Sequence, residues 1–338
     1  MAEVRVKVAW DTRWVQTVDD FGDVQQSYRD FGRDEIENSA CYSGWASAVA
    51  EDSKVLQLLA TLPPGKRQPN LVFAAARWHG SGTGPYIDLR TTLLGRWPTV
   101  RTTVLARSTQ TNEVGRCATL LPLLASLPQP LALLEVGASA GLCLFPDRYS
   151  YRYSNDASID PVDGVSQVVL PCEIRGPVPV PQDLPRITWR RGIDLNPLDV
   201  GDDDSVAWLE TLVWPEHDDR RSRLAAAIRI ARQDPATVVT GDLMTTVEDI
   251  VATVPPDATL VVFHSAVLAY LPRAVREAWV ELAGALPGHW ISNEAANVLP
   301  SVSATAPCAP PQGPQFAIAL DGQCVGWAHG HGRSLLWC

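Results

Sequence analysis

The sequence predicts an α/β protein, with an N-terminal all-helical cap domain over residues 1–127 and a mostly parallel sheet ending in an antiparallel hairpin over residues 128–338. Three observations carry this prediction. From about Asp20 to Leu127, short helical phrases follow one another with apolar residues three and four apart and no strand phrase among them. At Leu131 the pattern changes to short β-rich runs, "LALLEVG", "ITWRRGIDLN", "TVVTGDL", "TLVVFHS" and "HWISNEA", mostly separated by helical stretches, as a buried parallel sheet requires. Near the end, "QFAIALDGQCVGWA" places a DG turn between two apolar runs, the signal of a hairpin.

The cap phrases are "SACYSGWASAVAED", "DSKVLQLLATL", "QPNLVFAAARWHG", "TVRTTVLARS" and "EVGRCATLLPLLASL", several of them separated by Pro or Gly. Trp45, Trp78 and Trp97 lie in this part and read as core. A Pro-rich insertion runs from Tyr149 to Pro185 with "SQVVLPCEIRG" as its only strand phrase, and "PSVSATAPCAPPQGPQ" reads as a loop. "DSVAWLETLVW" and "PRAVREAWVELAGAL" are helices between strands. "DDRRSRLAAAIRIARQ" is a further helix, opened by Asp218 and Asp219 where the dipole favours acids, and its arginines read as a solvated face. The final hairpin is expected to add antiparallel to the sheet edge.

With 46% hydrophobic residues the chain has ample material for a core, and no apolar run approaches the ~18–20 residues of a membrane span. The start "MAEVRVKVAWDTRW" lacks the apolar core of a signal peptide, so a soluble, cytoplasmic protein is expected. A net charge of −10 argues against a nucleic-acid partner, and the partner expected is a small-molecule substrate. The seven cysteines are scattered, odd in number and never CxxC, which predicts reduced thiols and no zinc. In "HGHG", His329 and His331 are spaced like two ligands on one strand face, but no third ligand is near; a glycine-rich loop or strand edge is favoured and no metal is expected.

"EVGASAG" after the first strand has two readings. One is a turn that cradles a cofactor; the other is a GxSxG elbow presenting Ser139 as a nucleophile. The elbow needs an acid and a histidine later in the chain, for which Asp242 and His289 are available, and oxyanion donors from an earlier strand-to-helix loop, which is missing. The strand ends favour the cradle. The second strand ends on Asp194, followed by Asn196, and a carboxylate there can accept both hydroxyls of a ribose. The third leads to Asp242, where the carboxylate and the Leu243 amide are placed to grip an adenine edge. The fourth ends at His264 and Ser265. Before the sheet, "RSTQTNEVGR" carries Gln110, Asn112, Glu113 and Arg116, which either cap a helix or close over a ligand, with Arg116 meeting a carboxylate.

On "EVGASAG", "GIDLNP", "TGDL" and "VVFHSAVLAYL", residues 131–338 resemble the class I S-adenosylmethionine-dependent methyltransferases. Over nearly its whole length, through "RQPNLVFAAA", "TQTNEVGRCATLLP", "EVGASAGLCL", "RRGIDLNPLDV" and "VVFHSAVLAYLP", the chain also resembles a bacterial family of unknown function, in which Asn usually stands in place of Cys143. The first resemblance implies a Rossmann-like sheet, a helix N-terminus behind the glycine turn facing the cofactor's carboxylate, and contacts to S-adenosylmethionine from Glu135, Gly137, Gly141, Asp194 and Asp242. Ser139, Asn196, Leu243 and Ser265 join them by position. Ser139 replaces the middle glycine, and the gap from Gly141 to Asp194 far exceeds the usual ~20 residues, so Asp156 is a second candidate for the ribose.

A sulfonium activates all three attached carbons. Methyl transfer to a small-molecule acceptor is the leading expectation. The alternative uses S-adenosylmethionine as sole substrate, closing its aminocarboxypropyl arm to 1-aminocyclopropane-1-carboxylate or azetidine-2-carboxylate and releasing methylthioadenosine. A non-catalytic sensor and a GxSxG hydrolase complete the field. His264, Tyr42, Glu113 and Tyr270 are the candidate catalytic groups, with Tyr42 also able to stack on a sulfonium.

Overall fold

A computed structural model describes residues 20–110, 112–313 and 315–338. It divides into two compact units. The first holds the described residues up to Gln110 together with Ala207–Asp218; the second holds the described residues from 112 to Val206 and Asp219–Cys338. The segment from 112 to 127 therefore belongs with the sheet, and a later stretch of chain belongs with the helices.

The first unit is helical. Ser39 caps the helix Ala40–Ala50 by accepting from the Tyr42 amide, and Asp52 caps Ser53–Ala60 through the amides of Lys54 and Val55. Pro69 opens Pro69–Trp78 at the one place where its missing N–H costs nothing. The long helix Tyr86–Ala106 bends at Arg96, two residues before Pro98. Inside this unit Tyr42, Trp45 and Phe73 pack at ring separations of 5.1–5.6 Å, and the Arg107 guanidinium sits 4.6 Å from the Trp78 ring and 5.0 Å from that of Trp208. Arg77 binds the separate stretch of chain: its Nη1 donates to the Tyr42 hydroxyl at 2.9 Å and to the carbonyls of Thr211 and Val213 at 2.9 and 2.8 Å.

The second unit is built on one mixed, mostly parallel sheet of eleven strands: β1 (Leu131–Val136), β2 (Ser150–Tyr153), β3 (Ser158–Ile159), β4 (Val169–Arg175), β5 (Ile187–Asp194), β6 (Thr237–Thr240), β7 (Thr259–Ser265), β8 (His289–Ala295), β9 (Phe316–Leu320), β10 (Gln323–Ala328) and β11 (Ser334–Trp337). Their order is β3-β2-β4-β11-β10-β9-β8-β7-β1-β5-β6. Strands β6, β5, β1, β7 and β8 are mutually parallel neighbours. After central β1 the chain first lays down β2, β3 and β4 at the far end of the sheet, then returns for β5 and β6 on one side of β1 and for β7 and β8 on the other, so that the winding direction switches between β1 and β7. One face of these strands packs on a core that includes Leu134, Val136, Val262, Trp279, Trp290 and Trp327.

Three expectations are corrected. The insertion after Tyr149 holds β2 and β3 as well as β4. β2 and β3 are short and carry Tyr151, Arg152, Tyr153 and Ser158, too brief for a periodic apolar signal. The Asp321–Gly322 hairpin of β9 and β10 does join β8 antiparallel, but it lies inside the sheet, because β11 continues antiparallel from β10 and then pairs in parallel with β4. The thiols are not all reduced: Cys308 and Cys338 form a disulfide with Cα atoms 5.7 Å apart. Both are hung on β10, as the Cys338 amide donates to the Val325 carbonyl and Trp327 Nε1 donates to the Cys308 carbonyl. Thirty residues of separation gave no motif to read. Among the described residues, no helix is long and apolar enough to cross a membrane.

Arg77→Met keeps the aliphatic stem but leaves three acceptors without their donor. We expect a loss of about 2–4 kcal/mol of stability, read as a lower thermal melting temperature, whereas an unchanged melt would show that residues 207–218 are held by other means.

Candidate functional site

In a doubly wound sheet the crevice outside the carboxyl ends of the strands, at the switch point, is where ligands bind. Here that end carries the turn after β1. Three of its five residues are left-handed, Gly137 at φ 72°, Ser139 at 53° and Gly141 at 69°. Glycine is required at 137, because a Cβ there would collide with the Val267 side chain in the loop after β7.

The turn is closed upon itself. The Gly137 and Ala138 amides both donate to the Ile193 carbonyl at 2.8 and 3.1 Å, and the Gly141 amide donates to the Ala138 carbonyl at 2.7 Å. Ser139 N–H donates to Asp194 Oδ2 at 2.8 Å and Ala140 N–H to Asn112 Oδ1 at 3.0 Å. All five amides are thus engaged by the protein. No α-helix follows, contrary to expectation; the chain makes one 3-10 turn at Leu142–Leu144 and another at Pro146–Arg148. Pro146 disfavours a helical Phe145 and leaves too few residues after Gly141 for an α-helix to nucleate. The nucleophile elbow loses its helix as well, and the Ser139 hydroxyl, 3% exposed as a residue, accepts from Asn112 Nδ2.

The segment from Asn112 to Arg116 lies along the same strand ends. Besides Asn112, Arg116 reaches over them, with Nε donating to the Gly330 carbonyl and Nη1 to that of Ser265, each at 2.9 Å. Two of its nitrogens therefore serve backbone carbonyls, so the expected bidentate grip on a ligand carboxylate is not its present role. Glu113, 4% exposed, anchors the segment: Oε1 accepts from the Gly115 amide at 3.1 Å and Oε2 pairs with Arg220 Nε at 2.6 Å. Burial pushes the Glu113 carboxyl up, but His331, Arg220 and Arg116 outweigh it and hold it down at about 2. Arg220 was expected on a solvated helix face; it turns inward because Glu113 lies there. His331 Nδ1 is 3.5 Å from Glu113 Oε2 and its amide donates to His329 Nδ1. Burial lowers both imidazoles, His329 to about 4. Among the described residues, no group of three His, Cys, Asp or Glu side chains is arranged to hold a metal.

Asp194, half-buried at the end of β5, sits beside the turn and also accepts from the Asn196 amide through Oδ1 at 2.8 Å. Asp242 caps the helix Leu243–Val251, accepting from the Met244 amide, and the preceding Gly241 amide donates to the Asp194 carbonyl. Asp156 lies in the β2–β3 connection, where its amide donates to the Tyr153 carbonyl, and it takes no part in the hydrogen bonds that close this turn. Cys143 is buried, its Sγ 3.6 Å from the Glu113 carbonyl.

The four candidate catalytic groups part company. His264 is fully buried; Trp290 Nε1 donates to its Nε2 at 3.0 Å, which places the proton on Nδ1, facing Glu294 Oε1 at 2.8 Å. Its ring is a core strut with neither nitrogen to offer. Tyr42 belongs to the helical unit, where Arg77 donates to its hydroxyl and burial raises its phenol. Glu113 is held as an ion-paired carboxylate. Tyr270, 66% exposed after β7, stands open to solvent. Gln110 falls in the first unit.

Sequence reasoning missed Trp290, Asn293, Glu294 and Arg220. Glu294 Oε1 also accepts from the amides of Val267 and Leu268, so it holds the loop that meets Gly137. The signal was present in "HWISNEA": consecutive polar residues within a fully buried strand demand partners.

Over residues 25–337 the chain matches a family described as uncharacterized protein conserved in bacteria (DUF2332). The chain belongs to this family. No curated protein and no solved structure matches it. Within this DUF2332 chain, the matched region contains every residue of the turn and of the strand ends around it.

Because Glu113 is depressed in the folded protein, its contribution to stability is present above the unfolded value of ~4.3 and is lost as pH falls towards about 2. We expect Glu113→Gln to cost about 2–4 kcal/mol at neutral pH. In denaturant melts at successive pH values, the gap from wild type should stay constant down to about pH 5 and then close. A gap that does not change with pH would show that Arg220 is not paired with a charge.

Proposed function

We propose that this chain binds S-adenosylmethionine at the carboxyl ends of β1, β5 and β6 and transfers its methyl group to a small-molecule acceptor. The observation that carries the reading is Asp194, a half-buried carboxylate at the end of the strand next to β1, beside a turn with three left-handed residues at the switch point. Each of its oxygens accepts one amide and retains a lone pair, the donor set that a ribose diol needs. The start of the helix Leu243–Val251 next to it supplies an edge for a purine, with Asp242 as its cap.

The residues present fit the nucleoside half of this cofactor. The amino-acid half finds no cradle in the turn, since all five turn amides are engaged and no helix N-terminus faces it. When bound, the cofactor supplies an electrophilic methyl group on a sulfonium. The chain's part is to orient and to exclude water: Asp194 fixes the ribose, and the Asn112–Arg116 segment covers the strand ends. With the His264 ring saturated and Glu113 ion-paired, the geometry favours an acceptor atom that is already nucleophilic, so that positioning supplies most of the acceleration, up to ~7–11 kcal/mol in favourable cases.

Titration calorimetry with S-adenosylmethionine tests the reading. Asp194→Ala should weaken binding by about 1–3 kcal/mol, roughly 5–150-fold. Ser139→Ala should retain activity. Nucleoside analysis should show adenosylhomocysteine only when an acceptor is added; methylthioadenosine released without one would assign the reaction to the aminocarboxypropyl arm, and absence of binding would remove the cofactor.

A further inference from the structure

Arg116 is 6% exposed, and a guanidinium is charged at every physiological pH. Buried charges are ordinarily paired, because an uncompensated one is costly to take out of water. Arg116 has no such partner: among the described residues, no carboxylate oxygen lies within 4.0 Å of its nitrogens. The carboxyl groups that feel its charge are committed otherwise. Glu113 is paired with Arg220 at 2.6 Å, and burial holds Glu135 well above the ordinary range, as a neutral acid. The Phe316 ring, 5.9 Å from the Arg116 Cζ atom, stands at the outer reach of a cation–π contact and brings no anion. What fixes the guanidinium is backbone, the Gly330 carbonyl on Nε and the Ser265 carbonyl on Nη1. Nη2 has no partner among the described residues and, unlike the orphaned oxygens of Glu135 and Asn293, it reaches solvent. Ser265 ends β7, one of the two strands at the switch point, so the guanidinium stands at the crevice.

The loop that Arg116 grips adds to the want of negative charge. Gly330 lies between His329 and His331, whose rings are 5.6 Å apart. Each ring has one nitrogen engaged: His331 Nδ1 faces Glu113 Oε2 at 3.5 Å, and His329 Nδ1 accepts from the His331 amide. Each Nε2 has no partner among the described residues and reaches solvent. Burial lowers both imidazoles. Arg220 and Arg333 lower His329 further, Arg220 and Arg116 lower His331 further, and Glu113 opposes them at both rings. Asp219, the other acid at this corner, is paired with Arg223 at 2.9 Å. Arg116, Arg220, Arg223 and Arg333 thus stand against Glu113 and Asp219, a local positive excess on a chain whose net charge is −10.

We propose that Arg116 anchors the methyl acceptor, a small molecule whose carboxylate or phosphate group takes the open Nη2 beside the His329–Gly330–His331 loop. The inference rests on the adenosyl-cofactor reading and adds the class of acceptor, an anionic one. Asp194 and Asp242 lie on the β5–β6 side of β1 and Ser265 on the other, so the anion sits across β1 from the ribose. The two carbonyls hold the guanidinium in one place without cancelling its charge, and a fixed donor spares the acceptor the cost of ordering it. An anion here acts on the imidazoles with the opposite sign to Arg116: it raises them, so that binding takes up a proton and tightens as pH falls.

NMR of the wild-type chain reads this site through the Arg116 Nε–H and His331 Cε1–H signals. Sodium acetate and inorganic phosphate, each at constant ionic strength, should shift both signals along one saturable isotherm, and the neutral isostere acetamide should shift neither. The tighter of the two anions names the group. Acetate, ionised throughout, should bind about threefold more tightly at about pH 6 than at about pH 7.5. Its affinity should stay within about twofold when S-adenosylmethionine saturates the protein. Arg116→Lys cannot serve two carbonyls and an anion from one ammonium and should bind acetate at least about tenfold more weakly. If neither anion shifts the signals, or acetamide shifts them equally, Nη2 holds water only and the subsite is overturned. Equal acetate affinity at both pH values takes the anion away from the histidines, and wild-type affinity in Arg116→Lys takes it off the guanidinium; either result overturns the proposal. Displacement of acetate by S-adenosylmethionine gives the anchor to the cofactor and overturns the acceptor assignment. If S-adenosylmethionine fails to bind by calorimetry while acetate binds, the cofactor reading falls and the anion subsite stands by itself.

Discussion

The Asp194 carboxylate is the constraint on which the rest of this end of the sheet depends. It ends β5, accepts the Ser139 amide with one oxygen and the Asn196 amide with the other, and so ties the turn after β1 to the strand beside it. Without that tie the left-handed Ser139 would lack the interaction that offsets its backbone cost, a conformation unfavourable for a non-glycine residue. With it, the turn lies flat against Val267 and Asn112 can complete the hydrogen bonding from the other side. A single carboxylate thus ties the turn to the neighbouring strand and keeps a lone pair on each oxygen.

The buried polar groups nearby are unevenly partnered. Glu113 is held by Arg220 and the Gly115 amide, and His264 by Trp290 and Glu294, and these pairs position the segments that carry Asn112, Arg116 and Val267, although Glu294 Oε2 is left without a partner. Glu135 and Asn293 are buried and unsatisfied on one oxygen each. Satisfied networks rigidify a core, whereas an oxygen buried without a donor costs free energy that its surroundings have to offset.

Much of the architecture was legible because it is written in local periodicity. The helical phrases, the five parallel strands and the DG hairpin each announce themselves within a dozen residues. β2 and β3 escaped because they are too short for a period, and the place of the hairpin within the sheet escaped because edge or interior depends on which strand arrives later.

The site was legible only as a list of strand ends. The sequence by itself determined that Asp194, Asp242 and His264 stand at or just past the ends of successive strands, and that a glycine turn follows the strand before them, since the alternation of strand and helix puts those residues at one end of a parallel sheet. Only the tertiary structure decided what each does: Asp194 and not Asp156 meets the turn, His264 is a strut, Arg220 faces inward, Cys308 finds Cys338, and the turn spends all its amides on the protein. These are pairings between residues far apart in the chain, and hydrogen-bonding capacity is settled by whoever lies within 3 Å, which no spacing along the sequence records.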